Sequence, residues 1–117
     1  MTIIERTDTP PNGKAKVWWR AENLAPPWEG GVPTKDALKA AGFWFDGDRD
    51  SPRFKRNAGT KPSMCWWTAD FEKVLAFAEG AKARGTFAEH FPSTTLRDRV
   101  DAELHARVDA LAGSRAA

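Results

Sequence analysis

The chain has 117 residues, 41% of them hydrophobic, with six Trp, seven Phe and no Tyr, which supports one small folded domain. Its net charge of +2 does not demand a polyanionic partner, so any nucleic-acid contact must come from local clusters. The apolar runs are too short to span a bilayer, the N-terminus lacks the segments of a signal peptide, and the single cysteine, Cys65, allows no internal disulfide. We therefore expect a cytoplasmic protein without membrane contact.

The first third of the chain predicts a tail, a strand and a short helix. Residues 1–13 end in Pro-Pro-Asn-Gly, which breaks regular structure, and we expect an N-terminal tail there. The segment 14–20 has a β-prone centre between charged flanks and is typical of a strand. After a loop rich in Pro and Gly, Thr34 is a good N-cap and Gly42 a good stop, which predicts a helix over 35–41.

The middle of the chain predicts an aromatic hairpin followed by a helix. Residues 43–45, Phe-Trp-Phe, form one expected strand, and 63–67 form its partner across a long polar connection. A connection of that length favours a functional role over simple chain reversal. Thr68 is then expected to cap a helix over 69–83 that ends at Gly85.

The C-terminal part predicts one long amphipathic helix over 96–112, with Gly113 as its stop and 113–117 as a tail. Its apolar stripe consists of Leu96, Val100, Leu104, Val108 and Leu111. Charged residues of both signs flank this stripe, a pattern typical of a helix with a narrow apolar seam. The seam is expected to pack on its own sheet, with a homodimer through residues 96–111 as the alternative.

Together these elements predict an α+β domain over 14–112. We expect a small antiparallel three-stranded aromatic sheet packed against two to three helices. Residues 34–78 carry helix-ending Gly-Phe-Trp-Phe-Asp, a polar connection, and then Trp-Trp before another helix. This pattern resembles small modules of unknown function in phage and plasmid proteins and is distantly similar to the HARP domain of annealing helicases. The resemblance implies a nucleic-acid or replication context, with branched or single-stranded DNA as the partner.

Catalytic and metal signatures are not expected from this sequence. His90 and His105 are far apart, Cys65 has no neighbouring base in sequence, and neither a phosphate-binding Gly loop nor metal-ligand spacing appears. The alternating acids at Asp46, Asp48 and Asp50 lack the Glu that closes a calcium loop. We therefore expect no catalytic residues, no metal and no cofactor.

A cluster of cations and aromatic residues is the strongest functional signal. Cations bind phosphates and aromatic rings stack on bases, so this combination is typical of a protein that binds single strands. The candidate nucleic-acid-binding residues are Arg49, Arg53, Phe54, Lys55, Arg56, Lys61, Trp66 and Trp67, extended on the first strand by Lys16 and Arg20. The alternative is a solvated loop beside a core that uses all the tryptophans.

Two tryptophan doublets, 18–19 and 66–67, decide between these interpretations. Adjacent residues on a strand point to opposite faces, so each doublet sends one ring to either face of the sheet. If the last helix covers the second face, all four rings are structural. If it does not, one ring of each doublet is exposed beside the cationic loop.

We thus expect a non-enzymatic nucleic-acid-binding accessory module of phage or mobile-element type. The alternative is a small protein-binding inhibitor or adaptor that acts on a host nuclease or defence complex. An acidic rather than basic surface, or an interaction insensitive to salt, would favour this alternative.

Overall fold

The computed structural model describes residues 1–8, 13–22, 24, 28–45 and 66–116. Within these residues there are six strands and four helices, which confirms the α+β class. The strands are β1 (Thr2–Asp8), β2 (Lys16–Glu22), β3 (Trp28–Glu29), β4 (Val32–Pro33), β5 (Trp44–Phe45) and β6 (Trp66–Thr68). The helices are α1 (Thr34–Ala41), α2 (Phe71–Arg84), α3 (Phe87–His90) and α4 (Thr94–Ala116).

The main sheet has four antiparallel strands in the order β1-β2-β6-β5, rather than the three expected. The extra strand is β1, which lies within the predicted N-terminal tail, residues 1–13; that prediction is wrong for these residues. It pairs with β2 along its whole length, from Thr2 opposite Glu22 to Asp8 opposite Lys16. The Pro-Pro-Asn-Gly segment lies between these two strands in the sequence and does not end a free tail. Strand β1 is held because Ile3, opposite Ala21, is only 1% exposed.

The pairing register assigns the aromatic residues to two faces of this sheet. Directly opposed residues in an antiparallel pair share a face, so Trp19, Thr68 and the neighbouring Trp66 lie together on what we call the inner face. Trp19 belongs to the buried core with residues of α2 and α4, and Trp66 packs against that core. Trp67 and Arg20 oppose each other on the other side, which we call the outer face.

The start and stop signals of α1 and α2 are only partly as expected. Gly42 and Gly85 end the two helices in left-handed conformation, as predicted. The expected N-caps differ, because Thr34 is already helical and follows Pro33, which makes no side-chain cap bond. Asp70 rather than Thr68 caps α2, since its carboxylate accepts a hydrogen bond from the Glu72 amide at 3.0 Å. Thr68 accepts from the Asp70 amide at 3.1 Å and thereby orients the cap.

Helix α4 is longer than predicted, and the apolar residues of its first half pack in the core, whereas the side chain of Leu111 lies outside the described residues. Leu96, Val100 and Leu104 are buried in the core, so this part of the stripe serves the protein's own fold. Val108, one turn further, is 63% exposed. The backbone continues through Gly113 to Ala116, because a single glycine lowers helix propensity by only about 1 kcal/mol. Of the described helices, none combines the length and apolar character needed to cross a bilayer.

A buried carboxylate, that of Glu29, joins the β3–β4 hairpin to the helices. Glu29 is 1% exposed and accepts hydrogen bonds from Arg84 Nε at 3.1 Å and from the Thr86 hydroxyl. Its second oxygen meets His90 Nε2, while His90 Nδ1 donates to the Met1 carbonyl oxygen at 2.7 Å. Burial raises the pKa of the Glu29 carboxyl, but the bonds from Thr86 and Arg84 and the interaction with His90 more than offset this effect. The pKa therefore lies below its ordinary value of 4.5.

The Glu29 cluster predicts a stability difference between two chemically identical substitutions. Glu29→Gln removes a buried charge from its partners and should lower the free energy of unfolding by about 3 kcal/mol. Glu72→Gln removes an exposed acid that pairs with Arg107 and should cause little change. Urea titrations at neutral pH measure both variants. Equal stabilities of the two variants would contradict a supporting role for Glu29.

The same cluster sets a direction for the dependence on pH. The folded-state pKa of Glu29 lies below its unfolded value, so its contribution is complete above that unfolded value and is lost as the pH falls through the folded-state pKa. In Glu29→Gln this contribution is absent, so the free energy of unfolding, measured by urea titration at several pH values, should fall less than in the parent as the pH is lowered.

Candidate nucleic-acid interface

Most of the residues predicted to bind nucleic acid fall in one segment. Arg49, Arg53, Phe54, Lys55, Arg56 and Lys61 lie outside the described residues. The points where the chain leaves and rejoins the sheet are described. Phe45 ends β5 and Trp66 begins β6, and these two residues are register partners. The chain that carries the predicted cationic segment therefore leaves the sheet and rejoins it at two residues that face each other across β5 and β6.

Neither ring of the second doublet is strongly exposed. Trp67 lies on the outer face but is only 4% exposed. Its ring packs edge to face on the ring of Trp18, with a centroid distance of 6.4 Å and an interplanar angle of 88°. Trp66 is half-buried on the inner face, and its ring centroid lies 5.2 Å from that of Phe45. The first doublet divides similarly into buried Trp19 and half-buried Trp18. Little of the Trp67 ring is thus available to a base.

Among the described residues of β5 and β6, Trp44 is the exposed ring, and it is not one of the residues predicted to bind nucleic acid. It pairs with Trp67 across β5 and β6, lies on the edge strand and is 39% exposed. Two grooves meet at its side chain. The first is lined by Lys39, Gly42, Phe43, Phe45, Trp66 and Lys73. The second is lined by Lys16, Gly42, Trp67, Thr68, Ala69, Asp70 and Lys73.

Lysines from three separate elements surround Trp44. Lys16 comes from β2, Lys39 from the last turn of α1, and Lys73 from the first turn of α2. Gly42 makes this approach possible, since a Cβ at that position would lie 2.7 Å from Lys73 Cδ. Its φ of 102° also favours glycine. The Lys73 side chain therefore crosses the end of α1 and reaches both grooves. We call Trp44 with Lys16, Lys39 and Lys73 the Trp44 site.

The lysines of the Trp44 site differ from many other cations of the described surface, because they form no ion pair. Many of the other cations are paired with acids: Arg6 and Arg20 with Glu22, Lys82 with Asp101, Arg84 with Glu29, Arg99 with Glu5, and Arg107 with Glu72. Among the described residues, no ion pair involves Lys16, Lys39 or Lys73. Asp70, which also lines the second groove, has its carboxylate engaged as the α2 cap. The Trp44 site thus places three lysines without ion pairs in the described ranges around an aromatic ring, although Asp8 opposes Lys16 in the β1–β2 register and Glu72 precedes Lys73 on α2.

The titratable residues form no second site within the described part of the chain. His90 is enclosed by Glu29, Met1 and the Phe77 ring, whose centroid is 5.4 Å away. His105 is exposed on α4 and faces Asp109 at 3.8 Å. In the described ranges, no group of three or more His, Cys, Asp or Glu side chains could hold a metal ion.

The fold is a four-stranded antiparallel sheet with helices packed on its inner face and an edge-strand tryptophan ringed by lysines. Comparison with family models, with curated proteins and with solved structures finds no match to this chain.

The environments of the paired tryptophans predict unequal costs of truncation. Trp67→Ala removes a buried ring and should lower the free energy of unfolding by about 3–5 kcal/mol. Trp44→Ala removes a ring already 39% exposed and should cost less than half as much. Urea unfolding followed by circular dichroism compares the two variants. A Trp44→Ala variant as unstable as Trp67→Ala would show that Trp44 is a core residue and not an accessible surface.

Proposed function

We propose that the protein is a non-enzymatic nucleic-acid-binding accessory module that binds single-stranded or branched DNA at the corner of its sheet. The observation that carries this proposal is the Trp44 site, where an exposed ring lies among three lysines that form no ion pair within the described residues. A polyanion with aromatic bases is the ligand that satisfies both features. Its phosphates supply counter-charges for the lysines, and an unpaired base supplies a flat face for the ring.

The position of the predicted cationic segment supports the same proposal. Five cations occur between Arg49 and Lys61, and the chain that carries them departs from Phe45 and returns at Trp66. Both residues line the first groove beside Trp44. A strand bound at Trp44 would therefore lie next to the two residues between which the cationic segment is inserted in the sequence. The resemblance of residues 34–78 to modules of phage and plasmid proteins, and to the HARP domain, is consistent with a DNA partner.

The experiment that tests this function is a fluorescence titration with a single-stranded oligo(dT) at low and moderate salt. A base stacked on Trp44 should quench emission, and the affinity should fall as the salt concentration rises. Lys39→Ala/Lys73→Ala should weaken binding and reduce the slope of log K against log salt by about 1.4, since each phosphate contact on a single strand contributes about 0.7.

The matched control removes two positive charges elsewhere on the helices. Lys82→Ala/Arg99→Ala takes away cations that already pair with Asp101 and Glu5. It should leave the salt slope unchanged. Equal effects of the two double variants would mean that only net charge matters, and the absence of binding at either salt would refute the function.

The predicted cationic segment requires a separate variant. Replacing Arg53, Lys55 and Arg56 together by Ala should weaken oligo(dT) binding and flatten its salt dependence, because three phosphate-binding cations are removed. The far-ultraviolet circular dichroism spectrum and the urea midpoint should not change. A triple variant that binds as tightly as the parent would exclude these residues from the interface while leaving the Trp44 site to be judged by its own variants.

A specific observation also favours the protein-binding alternative. Residues 105–110 of α4 are all exposed, and they include Val108, whose exposure is 63%. In this second candidate, an inhibitor or adaptor acting on a host nuclease or defence complex would bind through that turn. Such an interaction should be insensitive to salt, and Val108→Asp should abolish it while oligo(dT) binding stays as in the parent.

A further inference from the structure

We infer that a single strand bound at the Trp44 site continues along the exposed flank of α1 to a second stacking residue, Trp28. This inference rests on the proposed function and adds the path of the ligand. Trp28 and Trp44 lie at opposite ends of α1, and Lys35 and Lys39 lie between them on the helix. We call these four residues the α1 track.

Trp28 has the largest exposure among the tryptophans that the structure describes. Its side chain is 62% exposed on the β3–β4 hairpin, where it pairs with Pro33. A groove beside it is lined by Leu24, Pro33, Thr34 and Lys35. An aromatic ring left so accessible next to a lysine has the same chemistry as the Trp44 site. A base with its phosphate is therefore a suitable ligand at both ends of the track.

The orientation of Trp28 follows from its neighbour in the chain. Successive residues on a strand point to opposite sides, and Glu29 points inward, where Arg84, Thr86 and His90 bind its carboxylate. Trp28 must then point outward. The bonds of the buried Glu29 carboxylate hold the β3–β4 hairpin against the helices, and they thereby fix the backbone position of Trp28.

Two lysines connect the rings along one flank of α1. Residues four apart on a helix are neighbours on its surface, about 5–6 Å between Cβ atoms, which places Lys35 and Lys39 in one row. Lys35 lines the Trp28 groove and Lys39 lines a Trp44 groove. Both are exposed, and no ion pair within the described chain involves either. The row therefore offers uncompensated charge to consecutive phosphates of one strand.

The length of α1 sets the size of the ligand. Thr34–Ala41 has 8 residues, which at about 1.5 Å each gives a helix of about 12 Å. At about 3.4 Å for each nucleotide step along a stacked strand, this corresponds to roughly three to four steps. A dinucleotide is too short to reach both rings, whereas a hexanucleotide is long enough. A duplex would not serve, because its bases are already paired and stacked.

The test measures the affinity of the full chain for dT2, dT6 and dT12. The parent should gain affinity steeply between dT2 and dT6, when the second ring comes within reach. Trp28→Ala should remove most of that gain and weaken dT12 binding roughly 5- to 150-fold, as expected for the loss of one stacked base. Trp28→Phe keeps a stacking ring and should retain most of the affinity.

Two further variants separate the track from general effects. Lys35→Ala should weaken dT6 more than dT2, because the shorter ligand can remain at the Trp44 site. Val108→Ala, which truncates another exposed apolar residue, should change neither affinity. Urea midpoints show whether Trp28→Ala remains folded, and the Trp28→Phe variant tests the ring where it does not.

The outcomes distinguish this inference from the proposed function. If dT12 binds, Trp44→Ala weakens it and both Trp28 variants keep the parent's affinity and length dependence, the track is wrong and the Trp44 site stands. If Trp28→Ala weakens dT2 as much as dT6, the second ring is not reached by extension of the ligand and the track is again wrong. If the parent binds no oligonucleotide, the proposed function and the track both fail.

Discussion

The pairing of β6 between β2 and β5 is the interaction on which the rest of this structure depends. β6 has three residues, yet it joins the edge strand with Trp44 to the larger part of the sheet. Its alternation sends Trp66 to the inner face and Trp67 to the outer face. Trp66 then packs on the helix-side core, while Trp67 packs with Trp18. Two large rings thus anchor a very short strand from both sides, which compensates for its few backbone hydrogen bonds.

The second interaction that organises the fold is made by the buried carboxylate of Glu29, which lies in the separate β3–β4 hairpin and not in the main sheet. Glu29 belongs to a strand of two residues, which would be marginal as an isolated hairpin. Its buried carboxylate binds side chains near the end of α2 and in the turn that follows, Arg84 and Thr86, and also His90 of α3. These bonds must offset the cost of burying the charge, and they make the hairpin's position dependent on ionisation. The fold therefore combines an aromatic sheet with a polar centre.

The sequence predicts those features of the fold that depend on neighbouring residues, such as helix ends and short strands. Gly42 and Gly85 end their helices as expected, and the hairpin of β5 and β6 was recognised from its aromatic residues. The Pro-Pro-Asn-Gly composition did not distinguish a tail from a connection between two paired strands, and the pairing of β1 with β2 shows that residues 2–8 are not a tail. The Trp44 site was missed for another reason. Lys39 and Lys73 are far apart in sequence and meet only because α1 packs against α2 and Gly42 leaves room for the Lys73 side chain.

Lysines at a sheet edge have an ordinary explanation, which is protection against pairing with another chain. That explanation does not apply to Lys16, because its strand β2 lies between β1 and β6. Lys39 and Lys73 come from helices. An exposed tryptophan on the edge strand would promote association with another chain and would not prevent it. Edge protection would also be served by cations that pair with nearby acids, as they do on much of the described surface. Under the function proposed above, the ring and the lysines without ion pairs in the described part of the chain would serve a ligand that carries both a flat apolar face and negative charge.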